Sequence, residues 1–287
     1  MLPSFRPGAR NTAHAIAAVS WIATMGSAHA ADLHGNTAEA FDRYVRLTEV
    51  RLSDEAHSTD RFLWIDGLTE ARRHEADVSL HRGEVIVHRM ETRDAGLPIE
   101  IPGGLCHHWI GTVFIPGVNL DRTAAFMQSY GAYQDIYKPA VRRSRILSRD
   151  GDRFIVFLQL FMRKAVGVVL NTEYDVSYVR LSPKRMHVRS ATTRIAEVQH
   201  ADTSEEREKS VGHDTGFLWR FNNYCGLEER NDGTYVQCES VSLSRNIPAG
   251  LGWLIGPFVT SVPRESLEFT LQTMRGALTT HSHITPS

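Results

Sequence analysis

The stretch that most constrains this chain is Ser244 to Leu278, which reads SRNIPAGLGWLIGPFVTSVPRESLEFTLQTMRGAL. Its second half carries helix-start signals. Ser261 can cap orphan N–H groups, Pro263 fits a first turn, and Glu265 sits near the positive end of the dipole. Leu267, Leu271, Met274 and Leu278 then recur at three- and four-residue spacing, giving one apolar stripe. The first half, Ile247 to Val262, is an apolar run broken by Gly250, Gly252, Gly256 and Pro257, and it reads as a movable hinge. An amphipathic helix must bury its stripe, and most of what precedes this one is strand. The expected partner is therefore the face of a sheet.

The strand pattern starts with Cys106 to Ile115, closed by Pro116-Gly117. Asn119 or Asp121 then caps a helix through Tyr130, and a second short helix runs from Tyr133 to Tyr137. Only strands follow, at 145–148, 153–162, 166–181, 187–198, 216–227 and 234–244, punctuated by Gly, Pro and Asn-Asp turns. The acidic, Ser-rich segment 201–210 reads as a mobile loop. Upstream, Thr37 to Arg51 and Thr69 to Leu80 read as helices and Glu84 to His88 as a short strand, forming a collar on the main domain. Leu97 to Gly104 is a linker by composition. The expected division is a leader at 1–30, a helical and strand extension at 31–104, the main domain at 105–280 and a disordered tail at 281–287.

Arg6 and Arg10 precede a short apolar run from Ala13 to Gly26, and Ala28-His29-Ala30 places small residues at the two positions a signal peptidase reads. A cleavable secretion signal is expected, with a mature chain from Ala31 found in the periplasm or secreted. No later stretch is long and apolar enough to span a bilayer as a helix. The formal net charge of −1 supplies no basic stripe for a nucleic acid. A monomer is expected.

Export permits cysteine oxidation. Cys225 and Cys238 flank the turn Asn231-Asp232-Gly233. A two-residue loop at Asn231-Asp232 sets them opposite one another, whereas a turn with Gly233 as a bulge shifts the pairing by one. The spacing leaves both registers open. Two reduced, half-buried cysteines are the leading expectation, and a Cys225–Cys238 disulfide is the alternative. No Cys/His spacing suggests zinc, and no motif implies a cofactor. His107 and His108 are adjacent on a strand, so they point to opposite faces and cannot both ligate one metal from there.

One strand, two small helices, an antiparallel meander and a long terminal helix, together with GFLWRFNNY (Gly216 to Tyr224) and LSRNIPAGLGWLIGPFVTSVPRESLEFTL (Leu243 to Leu271), resemble the START-like superfamily of lipid-transfer domains, polyketide cyclases and aromatases. More narrowly, those two stretches resemble an uncharacterised exported bacterial branch of it. It implies an α+β helix-grip fold, in which a curved antiparallel sheet wraps the C-terminal helix and leaves an apolar tunnel. It implies a cavity, not a chemistry.

Alternation supplies the candidate lining. In 217–225 one face shows Phe217, Trp219, Phe221, Asn223 and Cys225; in 235–243 one shows Tyr235, Gln237, Glu239, Val241 and Leu243. Taking these more apolar faces as inward carries Asn223, Gln237 and Glu239 into the core. A buried Glu239 then needs Arg194 or Arg245, a ligand, or water. The expected ligand-binding residues are Trp109, Phe157, Tyr174, Arg194, Trp219, Glu239, Trp253 and Phe258. The leading reading is binding of a hydrophobic small molecule, lipid-like or polycyclic, with no covalent chemistry. The alternatives are a cyclase or aromatase using Glu239 or His108 as proton shuttle, and a structural domain whose own side chains fill its core.

Overall fold

The computed structural model describes Leu33 and residues 35–163, 167–210, 213–246 and 252–280, without the side chains of 163 and 252–260. The expected leader and tail lie outside the described residues, as do 247–251 of the expected hinge. The elements run α1 (Gly35–His57), a 3-10 turn (Trp64–Gly67), α2 (Glu70–His81), β1 (Ile86–Arg89), β2 (Arg93–Asp94), β3 (Leu97–Pro98) and β4 (Gly104–Pro116). Next come α3 (Leu120–Met127), a 3-10 turn (Tyr130–Ala132), α4 (Tyr133–Ile136), β5 (Val141–Asp150), β6 (Arg153–Arg163), β7 (Gly167–Ser182) and β8 (Arg185–Gln199). The chain closes with β9 (Arg207–Glu208), β10 (Arg220–Arg230), β11 (Gly233–Arg245) and α5 (Gly252–Thr280).

One antiparallel nine-stranded sheet dominates, in the order β1-β4-β11-β10-β8-β7-β6-β5 with β9 on β8. The fold class is thus α+β, an antiparallel sheet holding a C-terminal helix. β1 pairs along β4, so the 31–104 segment supplies an edge strand to this sheet. The 201–210 segment supplies β9, which pairs with β8. Register shifts within β5–β6 and β7–β8 mark bulges, which bend the strands that carry them.

α5 lays its stripe on the inner face of β4. Leu267, Leu271, Met274 and Leu278 are all buried there in the main core, with Val113 and Ile115. The approach is close because β4 has a glycine beneath the helix. A Cβ on Gly111 would lie 2.7 Å from Leu271 Cδ1 and 3.1 Å from Leu267 Cδ2. The helix begins earlier than its local signals predict, at Gly252 instead of after the expected cap Ser261. Pro263 therefore lies inside it, where a proline removes one i→i−4 hydrogen bond and does not by itself stop the helix. The same start folds most of the expected hinge into α5.

The other face of β4, β11 and β10 is covered too. Phe41, Tyr44, Val45 and Leu52 of α1 pack on Tyr224, Val241 and Leu243, while Phe62, Leu63, Ile65 and Leu80 pack on Phe114 and Tyr235. Every residue of β11 from Gly233 to Ser244 is buried as a result.

Candidate ligand cavity

The α1 side of the sheet holds the charges. Glu239 lies on it and is 1% exposed, paired with Arg51 of α1 and with His108 Nε2 at 2.5 Å. His108 Nδ1 lies 2.8 Å from the Tyr44 hydroxyl, which itself accepts from the Thr92 N–H at 2.7 Å. The His108 ring is thus held at both nitrogens, Nε2 against Glu239 and Nδ1 against Tyr44. Burial pushes the Glu239 carboxyl upward, but His108 and Arg51 more than offset it and hold it below the usual range. Glu239 Oε2 has no protein partner among the described residues, and beside it lies a pocket of about 10 Å³, room for one water.

The α5 side holds a cavity of about 610 Å³. Val156, Leu158, Leu160 and Met162 of β6, Tyr174 and Val176 of β7, and Leu267 and Met274 of α5 give it apolar walls. Tyr130, Tyr133 and Tyr137 line it as well. Their rings pack in sequence, with centroids 5.0 and 4.9 Å apart. Two of their hydroxyls are engaged inside the protein: Tyr130 with Tyr178 at 2.6 Å, and Tyr133 donating to the Met127 carbonyl at 2.6 Å. Burial raises the phenol pKa of all three and pushes Tyr174 up to about 12, so they present neutral rings.

The floor is polar and small. In register across the sheet, Ser190 of β8 faces Asn223 of β10, which faces Ser240 of β11; one step along, Phe221 faces Ser242, which faces His107 of β4. Ser244 lies beyond, its hydroxyl 2.9 Å from His107 Nε2. Burial, reinforced by Arg89, lowers the His107 pKa to about 4, so its ring is neutral at ordinary pH. Cys225 and Cys238 meet directly opposite one another on this floor and form a disulfide, overturning the expectation of reduced thiols. The two-residue loop at Asn231-Asp232 decides it, with Arg230 paired to Gly233 and Asn231 in a left-handed conformation at φ 42°. Cys106 stays reduced.

Of the residues expected to bind ligand, Tyr174 lines the cavity. Trp109 is on the inner face but packs against the main core and does not line the cavity. Phe157 is on the outer face, with the Arg145 guanidinium 4.5 Å from its ring, because Val156 and Leu158 take the inward positions. Trp219 precedes β10 and joins the cluster beneath α1, its indole N–H donating to Asp214 at 3.2 Å. Arg194 is on the surface with Glu208 and Glu173 and does not reach Glu239. Glu239 and Gln237 are on the face opposite the cavity, the second accepting from the Trp64 N–H at 2.6 Å. The Trp253 and Phe258 side chains lie outside the described residues. Asn223 faces inward as expected.

The serines of β11 and the tyrosines after α3 were missed. Serines look like the solvent side of an amphipathic strand. Yet once Cys225 is set opposite Cys238, the face bearing Asn223 continues onto Ser240 and Ser242. No cluster among the described residues could hold a metal ion, and no described helix is long and apolar enough to cross a membrane.

No protein-family model matches the chain, and no curated protein does. Solved structures with a similar course include a STAR-related lipid transfer protein fragment from Xanthomonas axonopodis, 17% identical, covering 66% of this chain and 98% of that one at a TM-score of 0.43. Zhui aromatase/cyclase from a Streptomyces species is 11% identical, covering 62% and 97% at 0.43. The lipid transfer and protein localization domain of human StarD13 is 8% identical, covering 74% and 98% at 0.39. At these values the likeness says nothing of what this chain binds.

Proposed function

We propose that this is an exported protein that binds a hydrophobic small molecule, lipid-like or polycyclic, between its sheet and C-terminal helix. The observation that carries the reading is the cavity of about 610 Å³, with walls of Leu, Val, Met and neutral Tyr. That volume lies within the ~300–1,000 Å³ range of small-molecule sites. The export half is supported by the leader-like first thirty residues and by the Cys225–Cys238 disulfide, a bond that persists in oxidising compartments. The solved structures named for lipid transfer and for aromatase/cyclase activity are in keeping with a cavity-bearing protein, and they choose no ligand.

Binding without chemistry is favoured by where the titratable groups lie. The Glu239–His108 pair, the best acid–base couple in the sequence, is separated from the cavity by the sheet. Inside the cavity, the His107 ring touching Ser244 has its pKa lowered to about 4, which makes it a poor acceptor for a serine proton. Native mass spectrometry of protein purified from its own host tests the reading. An adduct lost on denaturation supports it. A clean apoprotein that also fails to take up any long-chain or polycyclic probe overturns it.

A further inference from the structure

Resting on that binding reading, we infer that the ligand is uncharged and oxygen-bearing, an alcohol or ketone seated with its oxygen on the β11 serine row. The row is built as a recognition surface. Ser240 and Ser242 are 5% and 4% exposed, and their side chains face the cavity. Among the described residues, the hydroxyls of Ser190, Ser240 and Ser242 have no protein hydrogen-bond partner, whereas Ser244 is engaged by His107. Ser190, Ser240 and Ser242 open onto the cavity, so their hydroxyls can bond an oxygen atom brought by a ligand without giving up a bond within the fold. Ser190 and Ser240 flank Asn223 across neighbouring strands, so the row spans roughly 10 Å, and Ser242 lies ~7 Å further along β11.

Charge decides the class. Among the described residues lining the cavity there is no lysine or arginine. His107 supplies no cation at neutral pH, because burial and Arg89 disfavour its protonated form. A carboxylate or phosphate head placed here would lose its hydration without a lysine or arginine partner among the described lining residues. A hydroxyl or ketone loses far less and gains the serine hydroxyls as partners. The apolar body of such a molecule then meets the Leu158, Leu160 and Met162 side chains of β6, away from β11 in the strand order.

The test compares three ligands of equal length, dodecane, dodecan-1-ol and dodecanoate at pH 8, by displacement of the neutral fluorophore N-phenyl-1-naphthylamine from the full chain. The alcohol is expected to bind roughly 3- to 10-fold tighter than the alkane for each serine it engages, and at least tenfold tighter than the carboxylate. In a Ser240→Ala/Ser242→Ala variant, the alcohol should fall to the affinity of the alkane while the alkane itself is unchanged. Melting temperature, read alongside, confirms that the variant is folded. Equal affinity for alcohol and alkane, or preference for the carboxylate, overturns the inference and leaves the binding reading standing. Failure of all three ligands and of the fluorophore to bind overturns the binding reading, and this inference with it.

Discussion

The seating of α5 on β4 makes a quantitative prediction about two residues. Leu271 is fully buried, and a methyl group on Gly111 would fall 2.7 Å from its Cδ1. Leu271→Ala removes a core side chain and should cost ~2–5 kcal/mol, the range for buried Leu→Ala. Gly111 does not have a left-handed backbone angle, so Gly111→Ala strains no dihedral and restricts the unfolded chain, a gain of ~0.4–1 kcal/mol. Against that gain, forcing a methyl into the helix–sheet contact costs ~1–3 kcal/mol, and the net is a loss of up to about 2.5 kcal/mol. The two losses should not add. In the double variant the new methyl at 111 enters the space that Leu271 has vacated, so its penalty largely disappears. The coupling should therefore be favourable by about 1 kcal/mol or more. Leu267 limits the rescue, because its Cδ2 is also only 3.1 Å from the same point. Urea unfolding followed by circular dichroism on the four proteins gives the cycle. If the double variant is destabilised by the sum of the single losses, within ~0.5 kcal/mol, α5 does not rest on Gly111 through Leu271 and the packing argument is wrong.

Three further outcomes are expected. Removing the disulfide with Cys225→Ala/Cys238→Ala should lower stability by about 3 kcal/mol, the closure entropy of a loop of its size, since the cysteines are 13 residues apart; an unchanged urea midpoint would contradict it. Because His107 titrates at 6.5 unfolded but at about 4 folded, the unfolded state takes up a proton first as pH falls. Stability should then decline from pH 6.5 to 4 by ~3 kcal/mol. His187, also lowered by burial, acts in the same direction, and Glu239 adds a loss at lower pH still. A His107→Asn variant should show a shallower slope in that window, and an identical slope would refute the assignment. Arg51→Ala should cost ~3 kcal/mol by leaving Glu239 buried with His108 alone, and Glu239→Gln in the same chain should recover part of it, measured by the same unfolding curves.

The architecture was legible because it is written in periodicity. Leu267, Leu271, Met274 and Leu278 announce the stripe of α5, and alternating runs from β5 to β11 announce the meander. The site was less legible, and the reason lies in β11. Its two faces read Tyr235, Gln237, Glu239, Val241, Leu243 and Val236, Cys238, Ser240, Ser242, Ser244. The first is bulkier and more apolar, so it reads as the inward face of a one-sided sheet. In fact α1, the 62–65 segment and α2 cover it, and both faces are inward. Small side chains front the cavity because a space for a ligand must be left unfilled. Arg51 as partner of Glu239 was out of reach for another reason: the contact joins residues 188 positions apart, on an element read as a collar.

The same strand separates polarity that holds the fold from polarity that meets a ligand. Gln237 and Glu239 point toward α1 and are engaged, one by the Trp64 N–H and the other by Arg51 and His108. Ser240 and Ser242 are as deeply buried but point the other way, into the cavity, without a protein partner among the described residues. The cost of substitution should follow partnership and not burial. Gln237→Leu orphans the Trp64 N–H and loses a hydrogen bond, so it should cost ~1–3 kcal/mol. Ser240→Ala removes a hydroxyl without a partner among the described residues, so stability should shift by less than ~0.5 kcal/mol or rise. Paired unfolding curves for these two variants measure the contrast on one strand, three residues apart. A Ser240→Ala loss as large as that of Gln237→Leu would mean that the serine hydroxyl is bonded within the fold, and the β11 row would then be structure instead of a seat for ligand.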